Sequence, residues 1–246
     1  FNIQRRLTDE ELDEVIKYCK HDVSQTMEVF INQIEEFESH VSLLKIFNLP
    51  LSYINRTKAQ LSATILGARK VQRDDEFDIT IPDTLRIKKY KHVVDWYKNP
   101  SNRNYQCSLE TEVAGVPHVF AWGGLHGAID KYQGEGIFVN VDVASYYPAI
   151  MIEYGFLSRN VADPNKFREI RDTRLKIVLN STYGAMKDKY NQLYDPLMAN
   201  NVCVAGQLLL LDLIEHLEPY CQLIQSNTDG LFVKINNEND LDTVKE

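Results

Sequence analysis

Apolar positions in the first third of the chain recur with a helical period. Leu12, Val15, Ile16 and Cys19 follow Thr8-Asp9-Glu10-Glu11, which has the form of a capping box, with Thr at the N-cap and Glu three positions on. Met27, Phe30, Ile31 and Ile34 continue the stripe, so residues 9 to about 45 are predicted to be helical with one buried face. Thr57 caps a further predicted helix through Leu61, Ile65 and Leu66, ended near Gly67. Residues 70–83 are charged and interrupted by proline, as a surface connection would be. A third helix is predicted from about 85 to Lys98, where Asn99-Pro100 stops it.

From Tyr105 the period shortens. Residues 105–113, 117–122 and 137–143 read as strands separated by glycine-bearing turns. Pro148 suits the first turn of a helix ending at Gly155, and Asp163-Pro164 opens the next. Residues 202–217 form a strongly apolar helix. A hairpin follows, with Leu223-Ile224 and Leu231-Phe232-Val233 on either side of Asn227-Thr228-Asp229-Gly230. Strands and helices without a βαβ rhythm predict an α+β fold, an antiparallel sheet flanked by helices.

Charge and cysteine usage narrow the class. The net charge is −8, from 27 basic and 35 acidic residues, so tight nucleic-acid binding by this stretch alone is not expected. One local exception is Arg86, Lys88, Lys89, Lys91, Lys98 and Arg103, interleaved with Tyr90, Trp96 and Tyr97. This is either a surface that tracks a phosphate backbone and stacks a base, or the solvated face of a helix. Four cysteines without close pairing point to a reducing cytoplasm, and six scattered histidines carry no zinc motif. Gln207 to Leu211 is too short for a membrane span and meets Asp212, so no membrane association is expected.

Three segments carry candidate chemistry. Asp142 ends the apolar run Ile137-Phe138-Val139-Asn140-Val141, and Asp229 sits in the hairpin turn. Each is a carboxylate at the end of a predicted strand, where a sheet could fix it beside the other. Such a pair can hold two divalent cations for phosphoryl transfer, although aspartate also favours plain turns. Between them, Lys176, Asn180 and Tyr183 share one face if 176–184 is helical, offering a cation, an amide and a ring to a nucleotide. Gly184 allows a close backbone approach or a helix end.

Together, in this order, the segments resemble the signatures of family B DNA polymerases, with a phage-encoded flavour. Asp142-Val143-Ala144-Ser145-Tyr146-Tyr147-Pro148 is similar to D-x-x-S-x-Y-P, and Lys176 to Gly184 fits K-x-x-x-N-S-x-Y-G. Asn227-Thr228-Asp229-Gly230 is similar to D-T-D-S with two substitutions. It keeps the principal ligand, while Gly230 in place of serine is expected to loosen the turn. Ala121-Trp122-Gly123-Gly124 is similar to Y-x-G-G, and Tyr18 with Asp22 to the Y-x-x-x-D motif of the 3′–5′ exonuclease domain.

The resemblance implies a DNA-directed DNA polymerase core acting in viral DNA replication, in the cytoplasm of a bacterial host if phage-borne. Its implied partners are primer-template DNA and dNTPs. Its implied cofactor is a pair of Mg²⁺ ions, replaceable by Mn²⁺, held by Asp142, Asp229 and the Val143 carbonyl. Lys176, Asn180, Tyr147 and Tyr183 would form the nucleotide pocket, with Tyr147 under the deoxyribose. Ser145, Gly184, Gly123 and Gly124 would contact template.

The implied organisation is an exonuclease remnant over 1–45, a helical connection over 46–104, and a palm with truncated fingers over 105–246. Arg168, Arg171 and Arg174 would be the stump of the fingers. On this reading the chain is a fragment without a thumb. Two alternatives stand beside it: a non-catalytic, polymerase-derived interaction scaffold, favoured by Asn227, Gly230 and the acidic charge, and a metal nuclease using Asp22.

Overall fold

The computed structural model describes residues 4–172 and 176–245, apart from the side chains at 172, 176, 177 and 245. The chain divides into two compact units, Phe1–Arg56 and Thr57–Glu246.

In the first unit, α1 (Asp9–Asn32) and α2 (Ile34–Ile46) meet at Gln33. The predicted capping box is formed: the Glu11 N–H donates to Thr8 Oγ1 (3.3 Å), and the Thr8 N–H donates to Glu11 Oε2 (2.9 Å). The stripe expected to be buried is not. No residue of α1 is buried, and Leu12, Ile16, Met27 and Phe30 are each more than 40% exposed. Amphipathic spacing sets which face can be buried, but burial needs a second surface, and among the described residues of this unit only Leu43 and Leu44 of α2 are buried.

The second unit opens with α3 (Lys58–Ile65), capped by Thr57 and Gln60 and closed before Gly67, whose φ of 62° lies in the left-handed region. The helix predicted from about 85 is shorter, α4 (Lys91–Lys98). Before it, alternate N–H groups at Arg86, Lys88 and Tyr90 donate to the carboxylates of Asp212, Glu215 and Glu215 (3.1, 2.8 and 3.2 Å). A helix would turn those donors onto its own carbonyls. Here charged acceptors from another element take them, and such bonds are the stronger kind.

Next come β1 (Ser108–Val113), β2 (Val116–Ala121), β3 (Leu125–Ala128) and β4 (Phe138–Asp142). They are followed by α5 (Tyr146–Glu153), α6 (Pro164–Asp172), α7 (Lys176–Lys187) and α8 (Pro196–Leu217). A hairpin of β5 (Cys221–Ser226) and β6 (Gly230–Ile235) and a short α9 (Asp240–Lys245) complete the unit. Arg174 lies outside the described residues. Among the described residues the strands form one antiparallel sheet in the order β1-β2-β3-β5-β6-β4, so the fold is α+β. The order places β4 on an edge beside β6, although the hairpin comes after four intervening helices.

One sheet face buries Phe120, Leu125, Leu223, Leu231 and Val233 against Val204, Leu208, Leu211 and Ile214 of α8. α8 has the length and apolarity to cross a bilayer, longer than the short run at 207–211 implied, but 78% of that window is buried inside the protein. Its apolarity is that of a core helix packed on both sides, against the sheet and against α5 and α7.

Asp195 caps α8 and is fully buried. It accepts from the Arg159 N–H (2.8 Å), Nε (3.0 Å) and Nη2 (2.7 Å), and Arg159 also donates to Asp75 (2.7 Å). These two carboxylates together raise the guanidinium's pKa further above its usual value.

Candidate active site

β4 is an edge strand with alternating exposure, and Asp142 is its last residue, solvent-facing. Register brings Asp142 opposite Gly230, and the next N–H, of Val143, donates to the carbonyl of Asp229 (2.9 Å). Two aspartates 87 residues apart in sequence thus lie on adjoining backbone positions. Among the described residues neither carboxylate has a Lys or Arg partner within ion-pair distance. A carboxylate pair lining one cleft is the kind of site that can hold a divalent cation.

The Asp229 turn is held by Asn227. Its Oδ1 accepts from the Asp229 N–H (3.2 Å), and its own N–H donates to the Gly230 carbonyl (3.0 Å). Gly230 proves to be a tight position instead of a loose one. A Cβ there would lie 2.7 Å from the Val141 carbonyl oxygen, which is backbone and cannot swing aside. Glycine lets β6 approach β4 closely enough for the two aspartates to come level.

Replacing Gly230 by serine, the residue of the motif it resembles, is therefore expected to part the strand ends. The expected cost is about 1–3 kcal/mol of stability, the usual range for overpacking. Chemical denaturation checks it, and a Gly230→Ser variant as stable as the parent would refute the close-approach argument.

After Asp142 the chain turns through Ser145, a non-glycine residue in the left-handed region (φ 53°, ψ 44°). That conformation costs about 1 kcal/mol and swings the chain from the sheet edge into α5. Tyr146 and Tyr147 then face a cleft of about 340 Å³ that also meets Asp142, Asp229, Asn180 and Tyr183. The Tyr146 hydroxyl donates to the Gly206 carbonyl (2.7 Å). The Tyr147 ring lies 4.5 Å from that of Tyr183, and a Cβ at Gly206 would come within 3.1 Å of it. Burial, before any neighbouring charge, pushes all three phenols well above their usual range, so they are neutral walls at physiological pH.

α7 supplies the opposite wall. Asn180 and Tyr183 both reach the cleft, as a shared face requires. The side chain of Lys176 lies outside the described residues. Gly184 does not end the helix, which continues to Lys187. No atom comes within 4 Å of a Cβ built at Gly184, so the space beside it is open.

The segment at 121–124 lies beside the turn. A Cβ at Gly124 would lie 3.8 Å from Thr228 Oγ1, Gly123 is exposed, and Trp122 is buried with its ring N–H on the Asn102 carbonyl (3.0 Å). Tyr18 and Asp22 sit on α1 in the first unit, where the Asp22 charge raises the Tyr18 phenol's pKa.

The basic cluster at 86–103 divides on inspection. Tyr90 and Tyr97 are core residues, 5% and 2% exposed, so they offer no ring to a base. Lys89 pairs with Glu218, and Arg103 with Asp78. Three features of the site were not read from the sequence. Gly206 carries the two tyrosines from inside an apolar helix. Lys187 sits 5.2 Å over the Tyr183 ring, with Nζ 3.4 Å from the Trp122 carbonyl. His118 bonds Ser226. No local motif marks any of them, because each depends on what packs against it.

No protein-family model matches the chain. The DNA polymerase alpha catalytic subunit of Leishmania donovani is 32% identical over 81 residues, which is 32% of this chain and 6% of that protein. The similarity is to DNA polymerases. It covers a third of this chain and a small part of the relative, so it supports a polymerase-like protein at a coarse level.

Proposed function

We propose that this chain is the palm portion of a family B DNA polymerase, which transfers a nucleotide from a dNTP to a primer 3′-hydroxyl on a DNA template. The observation that carries the reading is the β4–β6 register, which sets Asp142 beside the Asp229 turn, the two without an ion-pair partner among the described residues and lining a cleft walled by Asn180 and Tyr183. The polymerase similarity points the same way. The matched relative is eukaryotic, so a phage affinity rests on the motifs alone.

The residues present fit Mg²⁺. Among the described residues no group of three or more His, Cys, Asp or Glu side chains is placed to hold a metal. Mg²⁺ commonly takes one or two carboxylates and fills its remaining positions with water and substrate phosphates, which suits a two-carboxylate site. Asp142, Asp229 and the Val143 carbonyl would hold it. When bound, it would neutralise triphosphate charge and favour ionisation of the primer hydroxyl.

The chain's own part is positioning, the main protein contribution in phosphoryl transfer. Tyr147 and Tyr183 would bound the sugar, Asn180 would orient the nucleotide, and Lys176 would meet its phosphates. Ser145, Gly184, Gly123 and Gly124 would lie along the template; beside Gly123 and Gly184 the backbone is exposed and the space is open. The non-catalytic alternative draws on Asn227 and Gly230, yet both have a use here, one bracing the Asp229 turn and the other admitting β6 to β4.

Primer extension by the full-length polypeptide tests the proposal. Template-directed addition of dNTPs is expected with Mg²⁺ or Mn²⁺, lost on chelation and restored by either ion. A folded full-length protein that extends no primer with either metal would exclude it.

A further inference from the structure

His118 and Ser226 are buried polar residues in a largely apolar sheet face, 1% and 2% exposed. The His118 ring Nδ1 lies 2.8 Å from the Val116 carbonyl, and its Nε2 lies 2.7 Å from Ser226 Oγ. A carbonyl only accepts, so Nδ1 carries the proton, and in the neutral ring Nε2 accepts from the serine hydroxyl. Burial lowers the imidazole's pKa below the usual histidine value, which favours that neutral form.

The bond spans two strand spacings. His118 pairs with Gly127 on β3, and Gly127 pairs with Ser226 on β5. The same row continues through Leu231 to Val141, one position before the Asp142–Gly230 pair. The ring can cross β3 because Gly127 has no side chain. A Cβ there would lie 2.4 Å from the imidazole.

This crossing falls where the backbone specifies register least. The β3–β5 ladder has two register pairs, and on its other edge β5 carries an irregularity between Leu223 and Gln225 in its pairing with β6. A short ladder beside a bulge permits slippage, and a one-residue slip reverses which side chains face the core. A purely apolar pair would bury as well but would not discriminate between registers. A buried hydrogen bond between two fixed partners does.

We propose that His118 is a positioning residue for the Asp229 turn: by reaching over Gly127 to Ser226, it fixes the β3–β5 register and with it the end of β5 from which the Asp229 turn departs. Ser226 is the last residue of β5 before Asn227-Thr228-Asp229, so any freedom at Ser226 passes directly into the turn. The catalytic consequence rests on the polymerase reading, whereas the register claim does not.

Hydrogen exchange of the full-length protein tests the register claim. Ser226→Ala removes the hydroxyl, Ser226→Thr keeps it, and His118→Phe keeps a ring over Gly127 without the acceptor. Loss of one buried hydrogen bond is expected to speed exchange at 227–230 about 5- to 10-fold, with α3 and α8 unchanged. Ser226→Thr should restore protection. In primer extension, the same two disrupted variants should need about 5- to 10-fold more Mg²⁺ for half-maximal rate, and approach the parent rate at saturating metal.

Uniform acceleration of exchange in all elements, or equal behaviour of Ser226→Ala and Ser226→Thr, would overturn the proposal. A parent protein that extends no primer would defeat the polymerase reading, and the exchange result would still decide the role of His118.

Discussion

Asp142→Asn and Asp229→Asn are each expected to abolish nucleotide incorporation while leaving the fold intact. Losing about 4 kcal/mol of transition-state charge stabilisation slows the chemical step by roughly 1,000-fold. Folding should lose little. Asp142 is exposed, neither carboxylate has an ion-pair partner among the described residues, and surface substitutions away from such features usually stay within about 0.5 kcal/mol.

Asn227→Ala should be milder, because it removes an acceptor for the Asp229 N–H without touching the carboxylate. Single-nucleotide incorporation and thermal unfolding, run side by side, check all three. Equal loss of activity from Asn227→Ala would show that the ligand in the turn has been misassigned.

The second large effect concerns sugar selection. Tyr147→Ala is expected to raise ribonucleotide incorporation relative to deoxyribonucleotide by about 100-fold, the scale of discrimination that one added hydroxyl can produce. The ring has little freedom to yield. Tyr183 lies 4.5 Å from it on one side, and the Gly206 backbone leaves no room on another. A 2′-oxygen placed against it is excluded by contact. Tyr146 is committed differently, through its hydroxyl to the Gly206 carbonyl, so Tyr146→Ala should affect stability more than sugar choice. Competition between ribo- and deoxyribonucleotides on one template measures the ratio. Relaxed selection in Tyr146→Ala but not in Tyr147→Ala would move the register of the motif by one residue.

Local features of the chain were legible where their cause is local. The capping box at Thr8 and the cap at Thr57 formed because donor and acceptor lie within one turn. The hairpin around Asp229 formed because its turn and its flanking apolar runs are contiguous. The helix predicted from about 85 began only at Lys91, since its first N–H groups are claimed by Asp212 and Glu215, more than a hundred residues away. β3 escaped notice because four residues are too few to show a period, and it exists as a strand through its pairing with β2 and β5. The aromatic rings of the basic cluster looked available until Tyr90 and Tyr97 were seen in the core, since spacing alone cannot tell a stacking ring from a packing one.

By itself the sequence determined the kinds of element and the residues able to do chemistry: two strand-end aspartates, a polar helix face and a tyrosine pair after Ser145. The aspartates and the helix face follow from side-chain type and short-range spacing, and the tyrosine pair from the motif resemblance. Only the tertiary structure decided that Asp142 comes level with the Asp229 turn, that Gly230 is the close approach permitting it, that Gly206 makes room for the tyrosine pair, and that His118 reaches Ser226 across Gly127. Those relations join positions far apart in sequence. Strand order and register create them, and both are settled by which faces can be buried together.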